Sequence, residues 1–162
     1  MEVRLARSED IPGVCAILDH EIKEGFAHFG TEPVCPEEYE REWLAIRERY
    51  PLVVADIEDK IVGFAKASPW KARGAYKFTA EIGVYIRPEN QRQGAARALY
   101  DFLIPELRRI GFHTLLAGVA LPNEPSVKLH ESYGMWHIGT QPEVGFKFGR
   151  WHDVGYWALI LD

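Results

Sequence analysis

The stretch from Thr79 to Ile110 constrains the fold more than any other part of the chain. It reads TAEIGVYIRPENQRQGAARALYDFLIPELRRI, an alternating segment that passes through a short polar turn into a helically periodic one. Alternation puts Thr79, Glu81, Gly83 and Tyr85 on one face of a strand over 79–86, and Ala80, Ile82, Val84 and Ile86 on the other. Pro88 closes that strand. The helix over 94–110 carries Leu99, Leu103, Leu107 and Ile110 on one side, and Gly111 supplies its stop. A strand feeding an amphipathic helix in this way needs a sheet for the helix to cover.

The rest of the chain supplies that sheet. Glu2 to Ala6 alternates as a half-buried strand. Ser8 is expected to cap a helix whose buried stripe is Ile11, Val14, Leu18 and Ile22, ended by Gly25. A second helix opens near Pro36, with Tyr39, Trp43, Ile46 and Tyr50 as its stripe and Pro51 as its stop. Leu52–Asp56 and Ile61–Ala67 form a hairpin around Glu58, Asp59 and Lys60. Thr114–Ala120 is a strand, Pro125–Tyr133 a short helix ended by Gly134, and His137–Val144 and Val154–Leu161 two final strands. The expected fold class is α/β (α+β): one mixed, largely antiparallel central sheet with helices on both faces. A chain of 162 residues is about one domain's worth, so residues 1–162 are read as a single domain.

Charge and cysteine content narrow the function. A net charge of −5 without a Lys/Arg run disfavours nucleic acid. No apolar run approaches the ~18 residues needed to span a bilayer, and the N-terminus lacks a secretory pattern, so a cytoplasmic protein with no membrane partner is expected. Cys15 and Cys35 are too few for a disulfide scaffold and are read as buried or partly buried free thiols. The six histidines show no ligand spacing, so no metal is expected.

The turn before the 94–110 helix carries the chemistry. A helix N-terminus leaves amides unpaired and bears partial positive charge. Gly94, Ala95 and Ala96 would let an anion approach that backbone closely, which suits a phosphate. Alone the motif is weak, since Q/R-x-x-G-x-G/A arises by chance in about one chain in ten of this length. It is neither a Rossmann fingerprint nor a Walker loop.

Val84, Tyr85, Ile86 and Pro88, then Gln91, Arg92, Gln93, Gly94, Ala95 and Ala96, resemble motif A of the GNAT superfamily of acetyl-CoA-dependent N-acetyltransferases. The resemblance continues through Pro69-Trp70-Lys71-Ala72-Arg73, Ala75-Tyr76, Thr79-Ala80-Glu81 and Leu121-Pro122-Asn123. It runs on through Gly145-Phe146-Lys147 and Trp151-His152-Asp153-Val154-Gly155, which are similar to the phosphinothricin and methionine sulfone acetyltransferase branch. The resemblance implies the GNAT fold and acetyl-CoA as co-substrate. It implies that the amides of residues 92–97, Arg97 included, hold the pyrophosphate, with Asn123 and Ser126 near the pantetheine.

Amides near Val84 and Tyr85 would polarise the thioester carbonyl. Glu81, pointing away from the core face, or a water it holds, could take the proton that an α-ammonium must lose before attack. His130 stands four residues before Gly134, where most of the superfamily keeps a tyrosine acid, and acid and base roles are both open to it. Lys71, Arg73 and Tyr76 are implied to hold an anionic substrate group, with Phe29 and Val154 as apolar walls and Tyr85 also among the substrate-binding residues. Tyr133 is a weaker acid candidate, on another side of its helix.

The implied reaction is acetylation of the α-amine of a small amino-acid-like molecule such as phosphinothricin, methionine sulfoximine or methionine sulfone. The alternatives are another amine (a peptide N-terminus or a polyamine) and a non-catalytic acyl-CoA-binding module. A polyamine enzyme would show acids where Lys71 and Arg73 stand. Ile82-Gly83 replaces the Ser-Thr that branch members commonly carry after Ala-Glu, which removes a hydroxyl from the substrate face. The aromatic residues Trp136, Phe146, Phe148, Trp151 and Trp157 suit a core or a homodimer surface.

Overall fold

The computed structural model describes residues 1–162. Seven strands form one sheet in the order β1-β2-β3-β4-β5-β7-β6. They are β1 (Glu2–Leu5), β2 (Leu52–Ile57), β3 (Lys60–Pro69), β4 (Thr79–Ile86), β5 (Thr114–Leu121), β6 (Trp136–Lys147) and β7 (Arg150–Ile160). Only β4 and β5 pair in parallel. Four helices accompany them: α1 (Ile11–Glu24), α2 (Pro36–Ile46), α3 (Ala95–Ile110) and α4 (Glu124–Ser132). None is long and apolar enough to cross a membrane.

Strand alternation splits the core in two. On β2, Val53 and Ala55 join the layer under α3, while Leu52 and Val54 join the layer under α1 and α2. That continuous apolar run is what a strand covered on both faces requires. Leu99, Leu103 and Leu107 of α3 are fully buried, each contributing roughly 1.5–3 kcal/mol of apolar transfer. The α1 stripe of Ile11, Val14, Leu18 and Ile22 is buried as its spacing predicts.

Several local expectations need correction. Ser8 does not cap α1. A 3₁₀ turn over Ser8–Asp10 precedes the helix, and the Asp10 carboxylate accepts from the Arg7 amide at 2.7 Å. Asp10 is instead the buried partner of Arg4, bonded at 2.6 and 3.0 Å. Helix α2 stops at Ile46, which is exposed, because the chain turns there and the Tyr50 amide returns to the Ile46 carbonyl. Cys35 is exposed, near Glu37, while Cys15 is buried. The last two strands are longer than their alternation suggested. Phe148 and Gly149, both at positive φ, make a two-residue turn that joins β6 and β7 into one long hairpin.

The sheet is forked. β4 and β5 pair only over Thr79–Glu81 against Thr114–Leu116. Beyond those residues β4 stays bonded to β3, and β5 to β7, but the two strands no longer bond to each other. The gap opens onto the N-terminus of α3 on one side and the loop after α1 on the other.

Candidate active site

A cleft of 610 Å³ fills the fork. Ile82–Ile86 of β4 and Gly118–Ala120 of β5 form its walls, with Gln91, Arg92 and Gly94–Arg97 at one end and Gly25, Phe26 and Ala27 at the other. Asn123, Ser126 and His130 line it from α4 and its cap. Gln93 does not line the cleft, because its side chain turns back to donate to the Glu89 carbonyl at 3.0 Å.

The end of the cleft at the start of α3 is made of backbone. Arg92 at φ 59° and Gly94 at φ 84° put two left-handed residues in the loop, the backbone pattern from which anion-binding nests are built. The first return bond of α3 runs from the Ala98 amide to the Gly94 carbonyl at 3.0 Å. The six amides of residues 92–97 therefore have no acceptor within the protein. They form a concave anion site that a pyrophosphate fits in charge and donor number. Asn123 caps α4 by accepting from the Ser126 amide at 3.3 Å, which fixes both residues at the cleft.

The strand wall is selective about its amides. The Arg87 amide bonds to the Val62 carbonyl of β3 at 2.8 Å, and alternation turns the Tyr85 and Gly83 amides the same way. Val84 and Ile86 thus face the gap. Of the two amides expected to meet a thioester, that of Val84 is open and that of Tyr85 is committed to β3. The Tyr85 ring remains at the cleft, stacked on Phe64 at 5.4 Å and edge-on to His28 at 5.9 Å.

Glu81 sits at the crotch of the fork. A Cβ at Gly118 would lie 3.5 Å from Glu81 Oε1 and 3.1 Å from Tyr156, so the glycine lets both side chains approach the gap. Burial pushes the Glu81 carboxyl up, against the opposing charge of Lys66. A half-buried carboxylate made more basic is better suited to accept a proton.

His130 is deep in the site, 3% exposed. Its Nδ1–H donates to the Ser126 carbonyl at 2.7 Å, and its Nε2 accepts the Tyr100 hydroxyl at 2.9 Å. Burial lowers its basicity, so the ring is held neutral with both nitrogens engaged. Tyr133 is turned away, its hydroxyl 2.7 Å from the Asp101 carboxylate.

The other sequence-derived residues come from β7, from the segment between β3 and β4 and from the loop after α1. Val154 and Tyr156 follow each other on β7 beside Ala120 and Gly118. Trp70 meets Tyr156 edge-on at 5.5 Å, and the Lys71 ammonium lies 5.4 Å from the Trp70 ring. Phe29 packs on Gly145 and lies 5.9 Å from His152. Arg73 precedes and Tyr76 ends an exposed 3₁₀ turn over Gly74–Tyr76, and neither side chain is hydrogen-bonded to or stacked on this group. No three His, Cys, Asp or Glu side chains converge as metal ligands would.

Four residues escaped the sequence reading: Lys66, Gly118, Tyr156 and the anchoring role of Lys147. Lys147 is buried, and its ammonium donates to the carbonyls of Glu21, Gly25 and His28 at 3.0, 2.6 and 2.8 Å. It closes the end of α1 and fixes the loop that walls the cleft. A usable signal existed for Lys66, the single charge inside the apolar run Ile61–Ala67.

A forked sheet with an amide cradle at a helix start and a carboxylate at the fork can hold a phosphate-bearing co-substrate beside a base. The acetyltransferase (GNAT) family model matches residues 17–135. The chain belongs to the GNAT family. It is 41% identical over 162 residues to the phosphinothricin N-acetyltransferase of Streptomyces viridochromogenes, across all of this chain and 88% of that protein. It is 32% identical over 164 residues to the L-methionine sulfoximine/L-methionine sulfone acetyltransferase of Salmonella typhimurium, across 100% and 95% of the two chains. Its fold matches a GNAT superfamily phosphinothricin acetyltransferase from Sinorhizobium meliloti in complex with acetyl-CoA. The TM-score there is 0.94 at 29% identity, over 99% of this chain and 88% of that one.

Proposed function

We propose that this enzyme transfers the acetyl group of acetyl-CoA to the α-amine of a small amino acid with an oxygen-bearing tetrahedral centre at its side-chain end. Phosphinothricin, methionine sulfoximine and methionine sulfone are the substrates its relatives suggest. The observation that carries the reading is the union, in one fork, of six open amides with the half-buried Glu81. The amides of residues 92–97 hold the pyrophosphate, and Asn123 and Ser126 guide the pantetheine into the gap.

Glu81, directly or through a water, takes a proton from the substrate ammonium. The freed nitrogen attacks the thioester carbon, and the Val84 amide stabilises the oxyanion as the C–N bond forms. The C–S bond then breaks, and the departing thiolate takes up the proton that the acylated nitrogen sheds. His130, with both ring nitrogens engaged by Ser126 and Tyr100, shapes the cleft in which this happens. Lys71, Arg73 and Tyr76 receive the oxygen-bearing side-chain end, with Phe29 and Val154 as apolar walls and Tyr85 beside them.

Residues 1–162 act as one catalytic domain, in the cytoplasm, and as a homodimer. Support for the dimer comes from the sheet edge. β6 is the outermost strand, and Trp136, Phe146, Phe148 and Trp151 on its hairpin are each about half exposed or more. An open edge bearing that much aromatic surface favours association. Trp157, by contrast, belongs to the core. Thiol release from acetyl-CoA against a panel of amino acids, peptides and polyamines tests the substrate class. Turnover confined to peptides or polyamines would sink it. Sedimentation tests the dimer, and a lone 18.5 kDa species would count against it.

A further inference from the structure

β3 is a central strand, bonded to β2 on one side and β4 on the other. From Ile61 to Ala67 every residue is buried except Lys66, which is half-buried. A lysine there is costly unless its ammonium meets a partner. No acceptor within the protein bonds to it; burial works against its charge, and the only compensation is the more distant Glu81 carboxylate. The protein thus keeps an unsatisfied cation beside its carboxylate.

The register shows where that cation lies. Lys66 pairs with Gly83, and Ser68 pairs with Glu81, so Lys66 and Glu81 are diagonal neighbours on one face. Diagonal positions are about 7–8 Å apart, within the combined reach of the two side chains. Gly83 contributes no side chain between them, and a Cβ there would meet only Tyr85, at 3.7 Å. The other groups facing Lys66 are Tyr85 on β4 and His28 from the loop after α1. The His28 ring is made less basic by burial and then by the Lys66 and Lys147 charges. Neither offers an anion.

An α-amino acid carries its ammonium and carboxylate on the same carbon. A site that presents the ammonium to Glu81 must place the carboxylate a few ångströms away, and the Lys66 side chain, diagonal to Glu81 on the same face, can reach toward that position. We infer that Lys66 is a specificity-determining residue that holds the α-carboxylate of the substrate, selecting α-amino acids over amines that lack one. Resting on the α-amine acetylation proposed above, this gives the fork a complementary ion pair for a zwitterion. It also rejects polyamines, whose second cation would meet the Lys66 ammonium in a poorly solvated place.

The test compares methionine sulfoximine with its α-carboxamide, using the purified enzyme and saturating acetyl-CoA. The unaltered enzyme should favour the acid by about 10²-fold in kcat/KM. Lys66→Met should lower kcat/KM for the acid about 10- to 100-fold, mainly through KM, and leave the carboxamide unchanged. Lys66→Arg should restore most of the loss. Acetyl-CoA affinity serves as the check that each variant is folded.

An unaltered enzyme that acetylates both compounds equally overturns the inference without any variant. Equal losses on both compounds in Lys66→Met overturn it too. So does a displaced acidic limb of the rate with KM unchanged, which would mean that Lys66 only tunes Glu81. If the unaltered enzyme acetylates the carboxamide but no α-amino acid, the substrate reading itself falls and the inference with it.

Discussion

The two sides of the cleft are built by opposite means. The side proposed for the cofactor is backbone: six consecutive amides at 92–97 and the open Val84 amide, all within 14 residues of chain. The substrate side is side chains brought from far apart. Glu81 and Lys66 come from neighbouring strands, Trp70 and Lys71 follow β3, and Val154 and Tyr156 come from β7. Its outer wall is the 25–29 loop, held by Lys147 from more than a hundred residues away. A backbone cradle depends on φ and ψ and tolerates change in most of its side chains. A side-chain pocket depends on identity at each position. The cofactor should therefore be fixed by the fold, and the amine by a few residues on one face.

The sharpest way to break this division is Glu81→Gln. We expect kcat to fall about 10²–10⁴-fold while acetyl-CoA affinity is unchanged. The pH profile should change as well. Burial raises the Glu81 pKa, so the unaltered enzyme loses rate as pH falls through a value above the ordinary carboxylate range. In the variant that limb should vanish. Near-normal kcat with the limb intact would remove Glu81 from the chemistry.

Gly94→Asp attacks the other side. It sets a negative side chain at a left-handed position where the anion must sit, and a loss of about 10²-fold in acetyl-CoA affinity is expected by calorimetry. The amine KM, measured at saturating acetyl-CoA, should move little. Loss of both affinities together would mean that the two sides are not separable.

Lys147→Met tests whether the substrate wall is held from a distance. Three carbonyls lose their donor, and the 25–28 loop should loosen. The expected result is about a tenfold rise in amine KM, unchanged acetyl-CoA affinity, and faster hydrogen exchange at residues 25–30. A weaker acetyl-CoA complex would instead make the loop part of the cofactor side.

The same division explains what could be read from the sequence. Gly94, Ala95 and Ala96 at a strand–helix junction announce an amide cradle, because the cause is local. The face assignment of Glu81 was equally legible, since alternation along one strand decides it. The long final hairpin was not, because its turn rests on Phe148 and Gly149, and Phe148 gives no warning that it will adopt positive φ. Gly118 and Tyr156 were invisible for another reason. They matter only through the register that sets them opposite each other and beside Glu81. Lys147 sits in a quoted motif, yet nothing in that motif says that it will reach the end of α1.

The smallest expected effect falls at His130, where the two sides meet. Its ring lines the cleft, but the Ser126 carbonyl and the Tyr100 hydroxyl already occupy both nitrogens. A base in the reaction needs a free lone pair aimed at the substrate, and Nε2 is aimed at Tyr100. If His130 only shapes the cleft, Tyr100→Phe should cost about 1 kcal/mol of stability, because Nε2 is left buried and unpaired. The kcat should then fall less than about threefold, with an unaltered pH profile. Because burial depresses the folded-state pKa of His130, its neutral form contributes stability above the unfolded value near 6.5, which is lost as pH falls through the folded value. Thermal unfolding between pH 8 and 5 should show that loss in both proteins. A Tyr100→Phe enzyme that stays fully folded yet loses kcat by 100-fold would reverse the assignment. The hydroxyl and the ring would then form a proton path, and the boundary between the two sides would itself be catalytic.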